Sequence, residues 1–197
     1  MRSRPRQRQK GIVLLVALIM LVAMSLAGIA LMRSVETGVM VAGNFAFKES
    51  AVQSTDQGVQ AAAAWLTTTY LANANSLFDN DTSAGYYAAL PSVDPDYFDE
   101  ASWADSVTLN TGGNDAAGNK VRYIVHRMCT VASMSWTDSD NECAIQTTAA
   151  SEGEGSSKKP GALPPAGNPV LYYRVTARVD GPRGTVTVTQ TSLAQKI

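Results

Sequence analysis

Two cysteines and an acidic turn between them are the residues of this chain whose types and spacing could do chemistry. Cys129 and Cys143 are its only cysteines, and in an exported domain such a pair is expected to form a disulfide. Closing a loop of that size would stabilise the fold by about 3 kcal/mol, through lost freedom of the unfolded chain. The segment between them ends DSDNEC, where Asp138, Asp140 and Glu142 could present carboxylates to calcium. The glycine and the further ligands of a recognisable calcium loop are missing, so the plainer expectation is a solvated acidic turn. Zinc is discounted on ligand number, because the chain holds one histidine.

That histidine, His126, lies between Val125 and Arg127 in a stretch of strand-like alternation. A lone imidazole there is expected to be a satisfied sheet residue rather than a catalytic base. Asp94/Asp96 and Asp99/Glu100 are paired carboxylates of the type used in glycoside hydrolysis, but they sit in a turn-rich segment and are expected to be exposed. Gly153, Gly155, Lys158 and Lys159 superficially suggest a phosphate loop; their spacing fits no Walker motif and no apolar strand leads into them. No nucleophile elbow, metal-binding helix or dinucleotide fingerprint is present. Asn80-Asp81-Thr82 fits a glycosylation tripeptide, which arises often by chance. Trp103 and Trp136 could make adhesive contacts, whereas Trp65, on a helical stretch, is expected in the core. Neither an enzyme nor a cofactor is expected.

The elements that must position these residues begin with an asymmetry of charge. Five of the sixteen basic residues (Arg2, Arg4, Arg6, Arg8 and Lys10) precede Gly11 with no acid among them, leaving eleven basic against seventeen acidic side chains beyond it, a net of −6. So acidic a body would repel a phosphate backbone, and no nucleic-acid partner is expected. An apolar content of 45% excludes general disorder, and 197 residues suffice for one domain plus an extended element.

Ile12 to Met32 carries no charge, and Ser25 is its one polar side chain. As a helix these 21 residues cover about 30 Å, the thickness of a bilayer core. The cationic flank places the N-terminal end in the cytoplasm and the rest outside it. A secretory signal cleaved near Ser25-Leu26-Ala27 would fit the basic flank, yet the apolar run and the helical pattern both continue past that site. A plain signal anchor fits the span but gives no reason for the glycine at the junction. The stretch QRQKGIVLLVALIML resembles a type IV prepilin leader, with Gly11 its last residue and Ile12 the new N-terminus. The resemblance implies cleavage by a prepilin peptidase, methylation of the Ile12 amine and retention of the helix.

Beyond Arg33 apolar residues recur at Val35, Val39, Ala42, Ala46, Val52, Val59, Ala63, Leu66 and Tyr70, chiefly in steps of three, four or seven. No proline occurs between Pro5 and Pro91. The pattern predicts one helix of about 60 residues, its first half apolar throughout and its second amphipathic. Gly28, Gly38, Gly43 and Gly58 interrupt it, each costing roughly 1 kcal/mol against alanine, and close packing at small residues is the expected reason. Met32-Arg33, Val41-Ala42-Gly43-Asn44 and the alanine-rich stretch after them, with the ending YYRVTARVDGPRGTVTVTQTSLAQ, resemble PilX-type minor pilins. The fifth residue after Gly11 is Val16, where major pilins carry a glutamate that pairs with a neighbour's amine. A subunit lacking it suits a position with nothing ahead of it, the tip.

The rest of the chain is expected to form the head. Residues 73–120 read as a variable turn-rich region, with a short strand at Ser106–Leu109. Val121–Val131, Leu171–Val179 and Thr185–Thr191 alternate with period two, the last two joined by a bend at Gly181-Pro182. In the second stretch Leu171, Tyr173, Val175, Ala177 and Val179 would face the helix, while Tyr172, Arg174, Thr176 and Arg178 meet water. Residues 150–169 are expected to form a solvated loop. The fold class is then α+β, type IV pilin-like. Its parts are a leader (1–11), a membrane or filament-core half-helix (12–32), an amphipathic half (33–72), a variable region (73–120) and an antiparallel sheet (121–197).

The family resemblance implies a minor pilin that helps initiate pilus assembly and sits at or near the tip, supporting twitching motility and adhesion. Implied partners are the prepilin peptidase, the other minor and major pilins through the helix, a tip adhesin and the inner-membrane assembly platform. Implied locations are the inner membrane before assembly and the pilus tip afterwards. The alternatives are the tip pseudopilin of a type II secretion system and a signal-anchored periplasmic binding or sensing domain.

Overall fold

A computed structural model describes residues 11–110, 112–149 and 166–196. Helix α1 runs without a break over Ile12–Ala72, 61 residues. The chain divides into two compact units, Met1–Ala46 and Phe47–Ile197, so α1 contributes to both.

In the first unit α1 is exposed along Ile12–Ala42. Its apolar stretch is long enough to cross a membrane. Its one polar side chain is satisfied locally, the Ser25 hydroxyl donating to the Leu21 carbonyl at 2.8 Å, and just beyond it Thr37 donates to the carbonyls of Arg33 and Ser34. Such back-bonding removes most of the cost of a hydroxyl in hydrocarbon.

In the second unit the remainder of α1 lies against a six-stranded sheet. The strands are β1 (Tyr86–Tyr87), β2 (Val107–Thr108), β3 (Lys120–Arg127), β4 (Ile145–Ala149), β5 (Ala166–Asp180) and β6 (Val186–Lys196). β5 is the spine: β3 and β4 pair antiparallel with successive parts of it, and β6 pairs antiparallel from Val170 to Asp180. β1 departs from the expected pattern by pairing parallel with β3. The third alternating stretch extends to Lys196, and the first ends at Arg127 rather than Val131. Ala166–Pro169, expected in a loop, belong to β5; residues 150–165 lie outside the described residues.

Two expectations about faces are corrected. The stripe of α1 buried in this unit is Ala51, Ser54, Thr55, Gly58, Ala62 and Leu66, while Val52 is 41% exposed. Small side chains win these positions because the backbone comes close to the sheet. A Cβ on Gly58 would lie 3.2 Å from Val121 Cγ1 and 3.3 Å from Ala177 Cβ. The polar members of the stripe are paired. Ser54 donates to Asp115, Asn119 donates to Ser50, Ser54 and Asp115, and Thr189 donates to Thr55. Burial works to raise the Asp115 carboxyl, but the N–H groups of Asn119 and Ala117 and the Ser54 hydroxyl outweigh it and hold the pKa below its usual value.

The second correction concerns the outer face of the sheet. Leu171, Tyr173, Val175, Ala177 and Val179 are buried, but so are Thr176 and Arg178 on the opposite face. The segment 94–103 crosses that face as a strap. Asp94 pairs with Arg174, and Glu100 pairs with Arg122 and Arg178, which also hold Asp180. The Trp103 ring lies within 5.9 Å of both guanidinium groups, at 5.7 Å from Arg122.

Candidate functional site

At the start of the described chain Gly11 precedes the first turn of α1, and a side chain there would meet nothing within 4 Å. Residues 1–10 lie outside the described residues. Ile12 and Val16 follow on the helix, 65% and 46% exposed. Among the described residues, nothing crowds the Gly11 side of the Gly11–Ile12 junction.

Cys129 and Cys143 are joined in a disulfide, and the same two residues bridge through their backbones. The lobe they close is ordered by Asn141, whose side chain accepts from the Val131 N–H and donates to the carbonyls of Met134 and Ser135. The acidic segment of this lobe is fixed locally through one carboxylate and two backbone N–H groups. Asp138 accepts from the Asp140 N–H, and the Glu142 N–H donates to Thr130. Among the described residues no three His, Cys, Asp or Glu side chains are grouped closely enough to hold a metal ion, and Asp138, Asp140 and Glu142 are not so grouped.

The paired carboxylates of residues 94–100 also go to separate tasks. Asp94 meets Arg174 at 3.1 Å, Asp96 accepts from the Phe98 N–H, and Asp99 caps the short 3-10 turn Glu100–Trp103. Glu100 is held down to about 2 chiefly by the Arg122 guanidinium. Asp94 and Glu100 thus clamp the segment to the sheet, while Asp96 and Asp99 hold its turns.

The strap does form one wall of a cleft. With β1, the chain after it and the outer face of β3 it encloses about 430 Å³. Ile124 and His126 come from β3, Tyr87 from β1, Leu90 and Pro91 from the next turn, and Pro95 and Tyr97 from the strap. The Tyr87 ring stacks on the His126 imidazole with centroids 5.0 Å apart and planes 13° apart. His126 is 6% exposed, its Nδ1 is buried without a partner among the described residues, and the same holds for the Tyr97 hydroxyl. Burial and the Arg174 charge push the imidazole down to about 4, against a smaller opposing effect of Asp94. Burial, then the hydrogen bond to Asp105, pushes the Tyr87 hydroxyl up to about 12. Both rings are neutral at physiological pH.

His126 was expected to be a satisfied sheet residue, but its Nδ1 finds no partner among the described residues. One wall of the cleft belongs to the alternating stretch that became β3, but the other comes from a segment with no periodicity. Only the density of Tyr and Pro between Tyr86 and Tyr97 marks it. A smaller cavity of about 120 Å³ lies beside Arg127, whose guanidinium donates to the carbonyls of Ala88 and Val131 and sits 5.6 Å from the Phe78 ring centre. Trp65 packs against Tyr86 in the core, and Trp136 packs at its margin.

Comparison with known proteins gives no relative from which to transfer a site: no family model, no curated protein and no solved structure matches this chain.

Proposed function

We propose that this chain is a minor pilin of the PilX type, a non-enzymatic subunit that helps initiate type IV pilus assembly and sits at or near the tip. One observation carries the reading. A single uninterrupted helix, Ile12–Ala72, begins with 21 charge-free residues and ends by packing small side chains on a β-sheet. A helix of that design can serve twice. Its first part holds the subunit in lipid, and the same apolar surface can then bundle with neighbouring helices once the subunit leaves the membrane.

Val16 supports a terminal position, since no carboxylate at that point of the helix is available to a neighbour's amine. The basic residues before Gly11, and a glycine with no side chain immediately ahead of Ile12, support recognition by a prepilin peptidase. On this reading the head contacts other minor pilins and a tip adhesin, and the assembly platform engages the subunit in the inner membrane. The test is deletion of the gene with quantitation of surface filaments. Filaments should fall sharply and return on complementation, and the chain should be found in sheared pili far below the major subunit in amount. Intact piliation with lost secretion of exoproteins would instead identify a type II secretion tip pseudopilin. A chain found only in membranes, with both phenotypes normal, would identify an anchored periplasmic domain.

A further inference from the structure

The cleft between the strap and the outer face of β3 is used by nothing in the assembly reading. Its volume of about 430 Å³ lies within the range of small-molecule sites. We propose that it binds a neutral saccharide, taking pyranose rings of a short oligosaccharide.

Three features select that chemistry. Among the described residues no charged side chain lines the cleft, so an ionised ligand would lose its hydration with no countercharge in return. Flat apolar surfaces are supplied by the rings of Tyr87, Tyr97, Pro91 and Pro95, which match the C–H face of a sugar ring. Polar side chains that line the cleft, Asn80, Tyr97, Ser102 and His126, are both donor and acceptor in kind. A neutral imidazole offers one of each, and so does a phenol hydroxyl. Sugar hydroxyls have the same dual character and can satisfy both halves. A prolyl peptide, which also suits a tyrosine-lined groove, brings carbonyl acceptors only and would leave the imidazole acceptor empty.

The wall is held from behind. Glu100 and Asp94 clamp the strap to Arg122, Arg178 and Arg174, and the Asn80 Oδ1 accepts from the Ala88 N–H, fixing the opposite rim and leaving the Asn80 amide protons for a ligand. A site pinned on both sides loses little entropy on binding.

The test is saturation-transfer NMR on the full chain in lipid nanodiscs, which avoids sugar-based detergents. The probes are cellobiose, lactose and di-N-acetylchitobiose, with sialyllactose and an oligoproline peptide as contrasts. At least one neutral disaccharide should bind in the millimolar range. His126→Ala should weaken it at least tenfold, and Asp138→Asn, in the remote disulfide lobe, should leave it unchanged. Because removing the imidazole can disturb the sheet, Tyr97→Phe provides the second variant. It deletes only a hydroxyl without a partner, and should weaken binding several-fold at unchanged melting temperature. The proposal is overturned if no neutral disaccharide binds, if sialyllactose or the peptide binds at least as well, or if Tyr97→Phe and His126→Ala both bind like the parent. Filament assembly does not enter this readout, so either result leaves the assembly proposal to its own test.

Discussion

At His126 the sheet and the strap withhold water from an imidazole, and Arg174 opposes its charging, so its pKa falls from 6.5 to about 4. The sign of the consequence follows from proton binding. Between those two values the unfolded chain takes up a proton that the folded chain refuses, so stability is full above pH 6.5 and declines as pH falls towards 4. The whole decline is worth about 3 kcal/mol. Titration of the imidazole C–H resonances should give a midpoint near 4, and a midpoint near 6.5 would mean the ring is solvated. His126→Gln should flatten the melting temperature across that interval. Glu100 acts lower on the scale, because its carboxyl is held down from 4.5 to about 2 by Arg122. Its contribution is present above 4.5 and is lost as pH falls through about 2. Its side chain is 66% exposed, so Glu100→Gln should cost under about 1 kcal/mol overall. The local effect should be larger: amide exchange over residues 97–103 should accelerate while exchange in β3 and β5 stays slow.

Element by element, the helix was the most legible part of the sequence and its buried face the least. A charge-free run, a basic flank and a long interval without proline leave few structures other than one continuous helix. The face is legible only in part: Leu66 is buried and Val59 and Tyr70 pack against the core, but Val52 is exposed while Ala51, Ser54, Thr55 and Gly58 are buried. Close approach to a sheet favours small side chains over greasy ones, and a hydrophobicity pattern does not record that. Gly58→Val should therefore destabilise the protein by about 2 kcal/mol through overpacking against Val121 and Ala177. Gly43→Ala, with nothing within 4 Å, should be tolerated and can gain up to about 1 kcal/mol of helix propensity. Thermal melts of the two variants check the contrast. Replacing Cys129 and Cys143 together by alanine should cost about 3 kcal/mol, read from denaturant midpoints.

Across the whole molecule, strand alternation in β5 and β6 announced the sheet, since each half-buried strand repeats every two residues. It misjudged the outer face. Thr176 and Arg178 read as solvent-facing by type, and become buried because a turn-rich segment far away in sequence folds across them. Ion pairs of that kind depend on tertiary placement and carry no local period, which is also why the cleft beside them was not foreseen. What the sequence did expose is the apolar segment beginning at Ile12, and the assembly reading stands on its fate in the cell. The most direct measurement is mass analysis of the N-terminal peptide of the chain recovered from membranes and from sheared filaments. The account predicts that the peptide begins at Ile12 with a methylated amine. A chain still carrying Met1 or Arg2, or one beginning near Gly28 with the apolar segment gone, would contradict it.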